Sequence, residues 1–220
     1  MNAFKIIDTL KKKLDGYRPL PKEAIENLHE DLVLKWTYNS NAIEGNTLTI
    51  KETKVALEGI TVGGKSLREH FEVVNHREAI FYIEDLVEQK IDITCREIKN
   101  VHALILKNID NRNAGNWRNI NVTIAGAKHV PPDYLKVNDR MNEFENNINS
   151  SNYHPVELAT RAHCDFDKIH PFVDGNGRTA RLLMNLILLK AGFPAIILPV
   201  EYRLQYYEYL GLAHVSNNYI

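Results

Sequence analysis

Apolar residues recur along most of the chain at the three- and four-residue spacing of amphipathic helices. Phe4, Ile7, Leu10 and Leu14 share one side of a first helix over residues 3–14. Pro19 and Pro21 interrupt it, and Pro21 then stands where the first turn of a helix accepts proline. Ala24, Leu28 and Leu32 carry the next apolar face towards Trp36, and that helix runs to about Ile43 before Gly45-Asn46 stops it. Three capping boxes, Thr49–Glu52, Ser66–Glu69 and Thr94–Glu97, predict helices over 50–58, 66–89 and 95–108. Helices resume over 134–149, with Leu135, Met141, Phe144 and Ile148 as the buried set. Pro155 opens another over 155–168, with Ala159, Ala162, Phe166 and Ile169 inward. Leu182 to Leu189 is apolar nearly all round, which makes that helix central. A last helix over 200–213 carries Tyr202, Tyr206, Tyr207 and Tyr209 at the spacing usual for core aromatics.

Residues 109–132 break the helical pattern. Ile120-Asn121-Val122-Thr123-Ile124 alternates apolar and polar, reaches Ala125-Gly126, and closes at Val130-Pro131-Pro132. This is the strand signal of the chain. A lone hairpin on a helical protein fits a flap over a site, because binding segments concentrate on loops and an edge strand can hold an extended peptide by main-chain hydrogen bonds. A purely structural hairpin is the alternative. The expected fold class is therefore mainly α, a compact helical bundle with one β-hairpin flap. The expected division is an N-terminal helical segment, 1–46, and a core domain, 47–220.

Composition narrows the function classes. Of 220 residues, 44% are hydrophobic, and 27 Lys and Arg balance 28 Asp and Glu. No general attraction to nucleic acid or to an anionic membrane follows from that balance. Cys95 and Cys164 have neither C-x-x-C spacing nor a disulfide framework, which fits a reducing compartment. The N-terminus lacks the pattern of a secretory leader, and Leu182–Leu189 and Phe193–Val200 are too short to span a bilayer. A cytoplasmic protein is expected. His70, His76 and His102 read as core or surface histidines rather than a metal site, and Lys11-Lys12-Lys13 as a solvated helix end.

The chemistry concentrates in His170-Pro171-Phe172-Val173-Asp174-Gly175-Asn176-Gly177-Arg178-Thr179-Ala180-Arg181. It reads as a short loop entering a helix. Gly175 and Gly177, with Asn176 between them, let the backbone lie close to a ligand, and successive N–H groups at a helix N-terminus make an anion cradle. Arg178 and Arg181 lie three apart on one helix face, so two guanidiniums beside that cradle suit a polyphosphate. Asp174 has the wrong charge for phosphate unless Mg²⁺ sits between them. His170 can take a proton near neutral pH. Upstream, Ser40 and Glu44 stack on one helix face ahead of Gly45. An acid at a helix C-terminus opposes the dipole, a difficulty that a nearby arginine would remove. A plain helix stop is the other reading.

The stretch matches H-x-F-x-[DE]-G-N-G-R-x-x-R position for position, and so resembles the Fic-domain family from about residue 34 to the end. Glu72-Val73-Val74-Asn75-His76, the segment from Arg118 to Pro132 and that from Arg203 to Leu210 add to the likeness. The resemblance implies a protein adenylyltransferase that moves AMP from ATP onto a Ser, Thr or Tyr hydroxyl of a target protein, with Mg²⁺. By matching position, His170 would deprotonate the hydroxyl and Asp174 would bind the metal. Gly175, Asn176 and Gly177 would cradle the phosphates, Arg178 would hold the β-phosphate and Arg181 the γ-phosphate. Tyr206 and Tyr207 match positions near the adenine in some relatives, and Val122, Thr123, Ile124, Ala125 and Gly126 would form the flap that aligns the target. Ser40 to Gly45 resembles the S/T-x-x-x-E-G/N motif of members with an N-terminal inhibitory helix, about 34–45, which implies autoinhibition by Glu44 on Arg181. His214 departs from the Asn that several relatives carry near the adenine. The resemblance leaves open removal of AMP by the same site, a non-catalytic nucleotide-binding or interaction module, and self-association into a homo-oligomer.

Overall fold

The computed structural model describes residues 3–19, 21–124, 126–127, 129–216 and 219. Its helices, in chain order, are α1 (Ala3–Asp15), α2 (Lys22–Ile43), α3 (Ile50–Leu57), α4 (Leu67–Glu88), α5 (Cys95–Leu106), α6 (Val137–Ser150), α7 (Pro155–Ile169), α8 (Asn176–Lys190) and α9 (Arg203–Ser216). The apolar helix α8 is the axis, as its sequence demands: from Asn176 to Leu188 every residue except Gly177 is buried. Helix α7 lies along it, α4 and α5 pack against it on other sides, α2 packs on α4 and touches α8 directly, and α9 packs on α7. Ile80, Ile83, Ile98, Ile105, Met141, Phe166, Phe172, Leu182 and Leu186 form the centre of one continuous core.

Local rules set the helix ends. The boxes at Thr49–Glu52 and Ser66–Glu69 close in both directions. At Thr94 only half forms, because Glu97 turns to the Tyr82 hydroxyl and the Asn100 amide instead of reaching back. Pro155 occupies the first turn of α7.

Several expectations about buried faces need correction. Leu28 is 61% exposed, and α2 buries Val33, Trp36, Thr37, Ser40 and Asn41 instead. Its first half therefore stands off the core while its second half lies in it. Leu135 is 74% exposed in a 3₁₀ turn, and Val137 takes its place inside. Helix α1 buries no residue fully. Tyr202, Tyr207 and Tyr209 lie at the surface.

The hairpin is also corrected: no strand forms among the described residues. The return limb explains this, since Pro131 and Pro132 have no N–H to donate to a ladder. The segment is an extended loop strapped by side chains. The Arg118 guanidinium donates to Ile120 O and Pro132 O, and the Asn121 amide bridges the Asp133 carboxylate and the Tyr134 N–H. The alternation survives in burial only over 122–124, with Val122 and Ile124 half-buried and Thr123 exposed, while Ile120 is 52% exposed. Gly126 is exposed, and Ala125 lies outside the described residues.

Candidate active site

The loop between α7 and α8 is held by its own side chains. His170 caps α7 in the left-handed region, with its N–H on Phe166 O. Phe172 is wholly buried and stacks on the His102 ring, centroids 3.4 Å apart and planes within 4°. His102 accepts from the Gly115 N–H at Nδ1, so Nε2 carries the hydrogen that goes to Asp174 O, 2.9 Å away. Burial holds this imidazole neutral, its pKa pushed down to about 4. Gly175 has φ +77°, and a Cβ there would press on the His102 ring. The Asn176 amide closes the turn by bridging Phe172 N–H and Phe172 O, 2.9 Å each. Asn176 thus serves the loop's shape and is 2% exposed. The first helical bond of α8 runs from Thr179 N–H to Gly175 O, so the amides before it precede the helical ladder.

The two arginines have different surroundings. Arg178 is 2% exposed, and its Nε and one terminal nitrogen find no hydrogen-bond partner among the described residues. The other terminal nitrogen donates to Asp174 Oδ1 at 3.5 Å, the long limit of a hydrogen bond, and Glu72 stands at ion-pair range, 3.6 Å. Asp174 also accepts from Arg68, 2.6 Å, and from the Gly175 N–H. Burial pushes the Asp174 carboxyl up, but Arg178, the Gly175 amide and Arg68 together hold it below its usual value. Arg181 is equally buried and fully engaged. Its Nε donates to Ser40 Oγ at 3.0 Å, and one terminal nitrogen donates to Ser40 O at 2.8 Å and Glu44 Oε1 at 2.7 Å. The other meets the Tyr206 hydroxyl at 3.3 Å. Burial works against this charge, and Glu44 and Tyr206 more than offset it, raising the Arg181 pKa. Glu44 lies directly over the loop, where a Cβ on Gly177 would collide with its Oε1. Gly45, at φ +99°, closes α2 behind it.

His170 sits at the other end of the cradle. Its Nδ1 faces Asp167 O at 3.3 Å, its own carbonyl accepts from Arg118 Nε at 2.9 Å, and the Arg118 N–H bonds Pro171 O. The carbonyl can only accept, so Nδ1 bears the hydrogen and Nε2 the lone pair. Burial lowers the His170 pKa, Asp167 O opposes it, and Arg118 adds to it. The far limb of the extended loop returns here through His129, whose Nε2 meets Lys168 O at 2.8 Å. Tyr206 bonds His163 as well as Arg181, and the Tyr207 hydroxyl donates to Ile43 O at the end of α2.

An imidazole, a glycine-rich turn at a helix N-terminus, a carboxylate and two buried guanidiniums therefore converge on one loop. The family model described as Fic/DOC family matches residues 92–188. A Fic domain containing signaling protein from Bacteroides thetaiotaomicron superposes with a TM-score of 0.89 at 30% identity, over 96% of this chain and 83% of that one. The chain belongs to the Fic/DOC family. Fic-1 from C. elegans gives a TM-score of 0.83 at 32% identity, over 97% of this chain and 67% of that one. A Drosophila melanogaster protein named protein adenylyltransferase Fic is 38% identical over 94% of this chain and 43% of its own length. The Drosophila yakuba counterpart is 40% identical over 87% of the chain and 39% of its own length. The chain thus spans less than half the length of the curated relatives it matches. The mainly helical Fic fold extends over nearly all of this chain.

Several functional neighbours of the Fic signature escape a reading by motif. Arg68 and Glu72 lie on α4, over a hundred residues before the loop, and only the fold brings them to Asp174 and Arg178. His102 reads as a core histidine and is one, but its two ring nitrogens hold the loop. Asp167 carries a weak local signal, an acid one helical turn before His170.

Proposed function

We propose that this chain is a protein adenylyltransferase, transferring AMP from ATP to a Ser, Thr or Tyr hydroxyl of a target protein and of itself, and that Glu44 holds it switched off. The observation that carries the reading is a buried, half-unpartnered Arg178 beside an Arg181 whose anion partner is a side chain lying over the cradle. A buried guanidinium with idle N–H groups is costly unless an anion meets it. ATP supplies that anion with the right spacing: the β-phosphate on Arg178 and the γ-phosphate on Arg181, in bidentate geometry that a lysine would not reproduce. In-line transfer at phosphorus then needs mainly a positioned nucleophile and charge stabilisation. His170 Nε2 takes the proton of the target hydroxyl.

The described residues offer no cluster of three metal-ligating side chains. Mg²⁺ suits what is present, since it binds readily through one carboxylate, waters and substrate phosphates. Asp174, with 44% of its side chain open, would hold it, and the ion would neutralise phosphate charge. Tyr206 and Tyr207 line the side on which the adenine would lie, beyond Arg181. Val122, Thr123, Ile124, Ala125 and Gly126 belong to the loop on which the target would dock in extended form. The return of that loop to His170 through Arg118 and His129 supports this.

With Glu44 in the γ-phosphate's place, ATP binds misaligned. A coupling of about 1–3 kcal/mol suppresses productive binding roughly 5–150-fold. Glu44→Gly therefore raises transfer of label from α-labelled ATP, self-labelling included, and adding His170→Ala abolishes it. Equal labelling by Glu44→Gly and the unsubstituted chain refutes the switch. Undiminished labelling by the His170→Ala double variant refutes the assignment of the base.

A further inference from the structure

We infer that Asp167 is a positioning residue for His170, steering the imidazole through Nδ1 and steadying the imidazolium that forms when Nε2 takes a proton. The inference rests on the transferase reading above. Asp167 lies on the last turn of α7 and is 8% exposed. Its Oδ1 is 3.8 Å from His170 Nδ1, and its Oδ2 is 3.6 Å from His214 Nε2. Its main-chain oxygen is 3.3 Å from that same Nδ1. One residue therefore presents two oxygens to one ring nitrogen. A carbonyl and a carboxylate can only accept, so both select the tautomer that leaves Nε2 free.

The carboxylate distances are those of ion pairs, longer than hydrogen bonds. Asp167 thus acts by charge at rest and closes on Nδ1 as the imidazolium appears, as catalytic contacts often do on leaving the unliganded state. His214 supports this picture. Its Nε2 is buried and has no hydrogen-bond partner among the described residues, and it points at the second carboxylate oxygen. Burial holds His214 neutral, its pKa pushed down to about 4.

In the reaction, the target O–H gives its proton to His170 Nε2. Its oxygen bonds to the α-phosphorus while the bond to the bridging oxygen breaks, and pyrophosphate leaves with that electron pair. Asp167 takes no proton and contributes only in its ionised form. Burial, then Glu44, push its carboxyl up to about 6, and Arg181 pulls it down. The groups facing it are Cys164 on its own helix, His170 at the end of that helix, Arg181 on α8, Glu44 on α2, and Tyr206 and His214 on α9. Arg118 and His129 face His170 from the loop. Removing Glu44 takes away a negative neighbour and favours the ionised Asp167, so the activated variant is the right background for the test.

The first measurement is the ¹⁵N NMR signature of the His170 ring in the unsubstituted chain, which is independent of activity. The Nδ1–H tautomer is expected, and an Nε2–H tautomer overturns the inference even if no variant folds. The second compares His170 titration with and without Asp167→Asn: a lower pKa is expected in the variant, and an unchanged one overturns the inference. The third measures self-labelling against pH in Glu44→Gly with and without Asp167→Asn. A loss of about 10–100-fold is expected, part of what a general base contributes, with the acid limb displaced and KM for ATP unchanged. Asp167→Glu should recover part of the rate. A uniform loss with the same pH profile and the same His170 titration makes Asp167 merely structural. Absence of labelling by Glu44→Gly itself counts against the transferase reading, and the two NMR measurements still decide this one.

Discussion

Replacing Glu44 by Gln removes one charge from the switch and keeps its length. Arg181 and Glu44 are 2.7 Å apart, with 3% and 33% of their side chains exposed. Two unit charges with centres about 4 Å apart attract by about 4 kcal/mol at an effective dielectric of about 20. Water reaches the Glu44 side and screens it, leaving about 1–3 kcal/mol, between the values for surface and buried pairs. For a chain of this size each kcal/mol corresponds to about 2–4 °C in Tm, so the nucleotide-free variant should melt measurably lower. Arg181 does not swing away in the variant, because Ser40 Oγ, Ser40 O and the Tyr206 hydroxyl still hold it. A γ-phosphate then meets a guanidinium already aimed, and the same energy returns as about 5–150-fold in ATP affinity. Thermal unfolding with and without saturating nucleotide reads both effects, since a ligand bound only to the folded state raises Tm. ATP should lift Glu44→Gln more than it lifts the unsubstituted chain, and ADP, which has no γ-phosphate, should lift the two equally. If ADP gains as much as ATP, or the nucleotide-free Tm values coincide, Glu44 does not hold the γ-phosphate's place.

Other outcomes follow from the same geometry. Gly45→Ala forces a side chain into a left-handed backbone with φ +99° and open space around the new Cβ, so the cost is in the backbone. A loss of about 1 kcal/mol is expected, with partial activation as the last turn of α2 loosens, read by denaturant unfolding and self-labelling. Arg118→Ala removes the strap on Ile120 O, Pro132 O and His170 O, and should cut transfer to a protein hydroxyl far more than ATP binding measured by calorimetry. Acid should destabilise the fold between pH about 6.5 and 3–4. His102, His163 and His214 are held neutral with pKa values pushed down to about 4, 3 and 4, so the unfolded chain binds their protons first as pH falls. Each contributes stability that is present above the unfolded value of 6.5 and lost as pH drops through the folded one. Asp167, pushed up to about 6, works in the opposite sense, and the three imidazoles outweigh it. Chemical unfolding at a series of pH values checks the sign, and a flat profile from pH 7 to 4 contradicts it.

Periodicity and caps carry most of the helical architecture, because both are local. The ends of α3, α4 and α7 follow from Thr49, Ser66 and Pro155 alone. The failures are long-range. The face of α2 shifts from Leu28 to Trp36 because tertiary contact begins only half-way along the helix, which no window of residues reveals. The tyrosines of α9 satisfy helical spacing yet lie partly in water, since spacing says which residues share a face and not what covers it. The strand signal at 120–124 is correct about the alternation only over 122–124 and wrong about the ladder, for want of donors at Pro131 and Pro132. In the site, the loop from His170 to Arg181 is legible as chemistry because its residues are contiguous. What Arg68, Glu72 and Asp167 touch becomes visible only where the fold sets them against Asp174, Arg178 and His170.

The placement of Glu44 bears on how the proposed switch would be operated. Helix α2 is anchored by Trp36, Thr37 and Asn41 inside the core and by Tyr207 on Ile43 O, so the helix as a whole has no easy motion. Ser40, which orients Arg181, belongs to that anchored part, and Glu44 to the residue after its end. Releasing Glu44 therefore requires only a rearrangement of the turn at residues 44–47. That turn is tied to the phosphate side of the site: the Asn46 amide donates to Glu72 and to Glu69 O, while Glu72 faces both Arg68 and Arg178. The carboxylate that faces Arg178 is the one that holds Asn46 in the turn. Glu72 thus stands between Arg178 and the turn that carries Glu44. Asn46→Ala should accordingly raise self-labelling with Glu44 intact, and an unchanged rate would show that the turn and the phosphate side act independently.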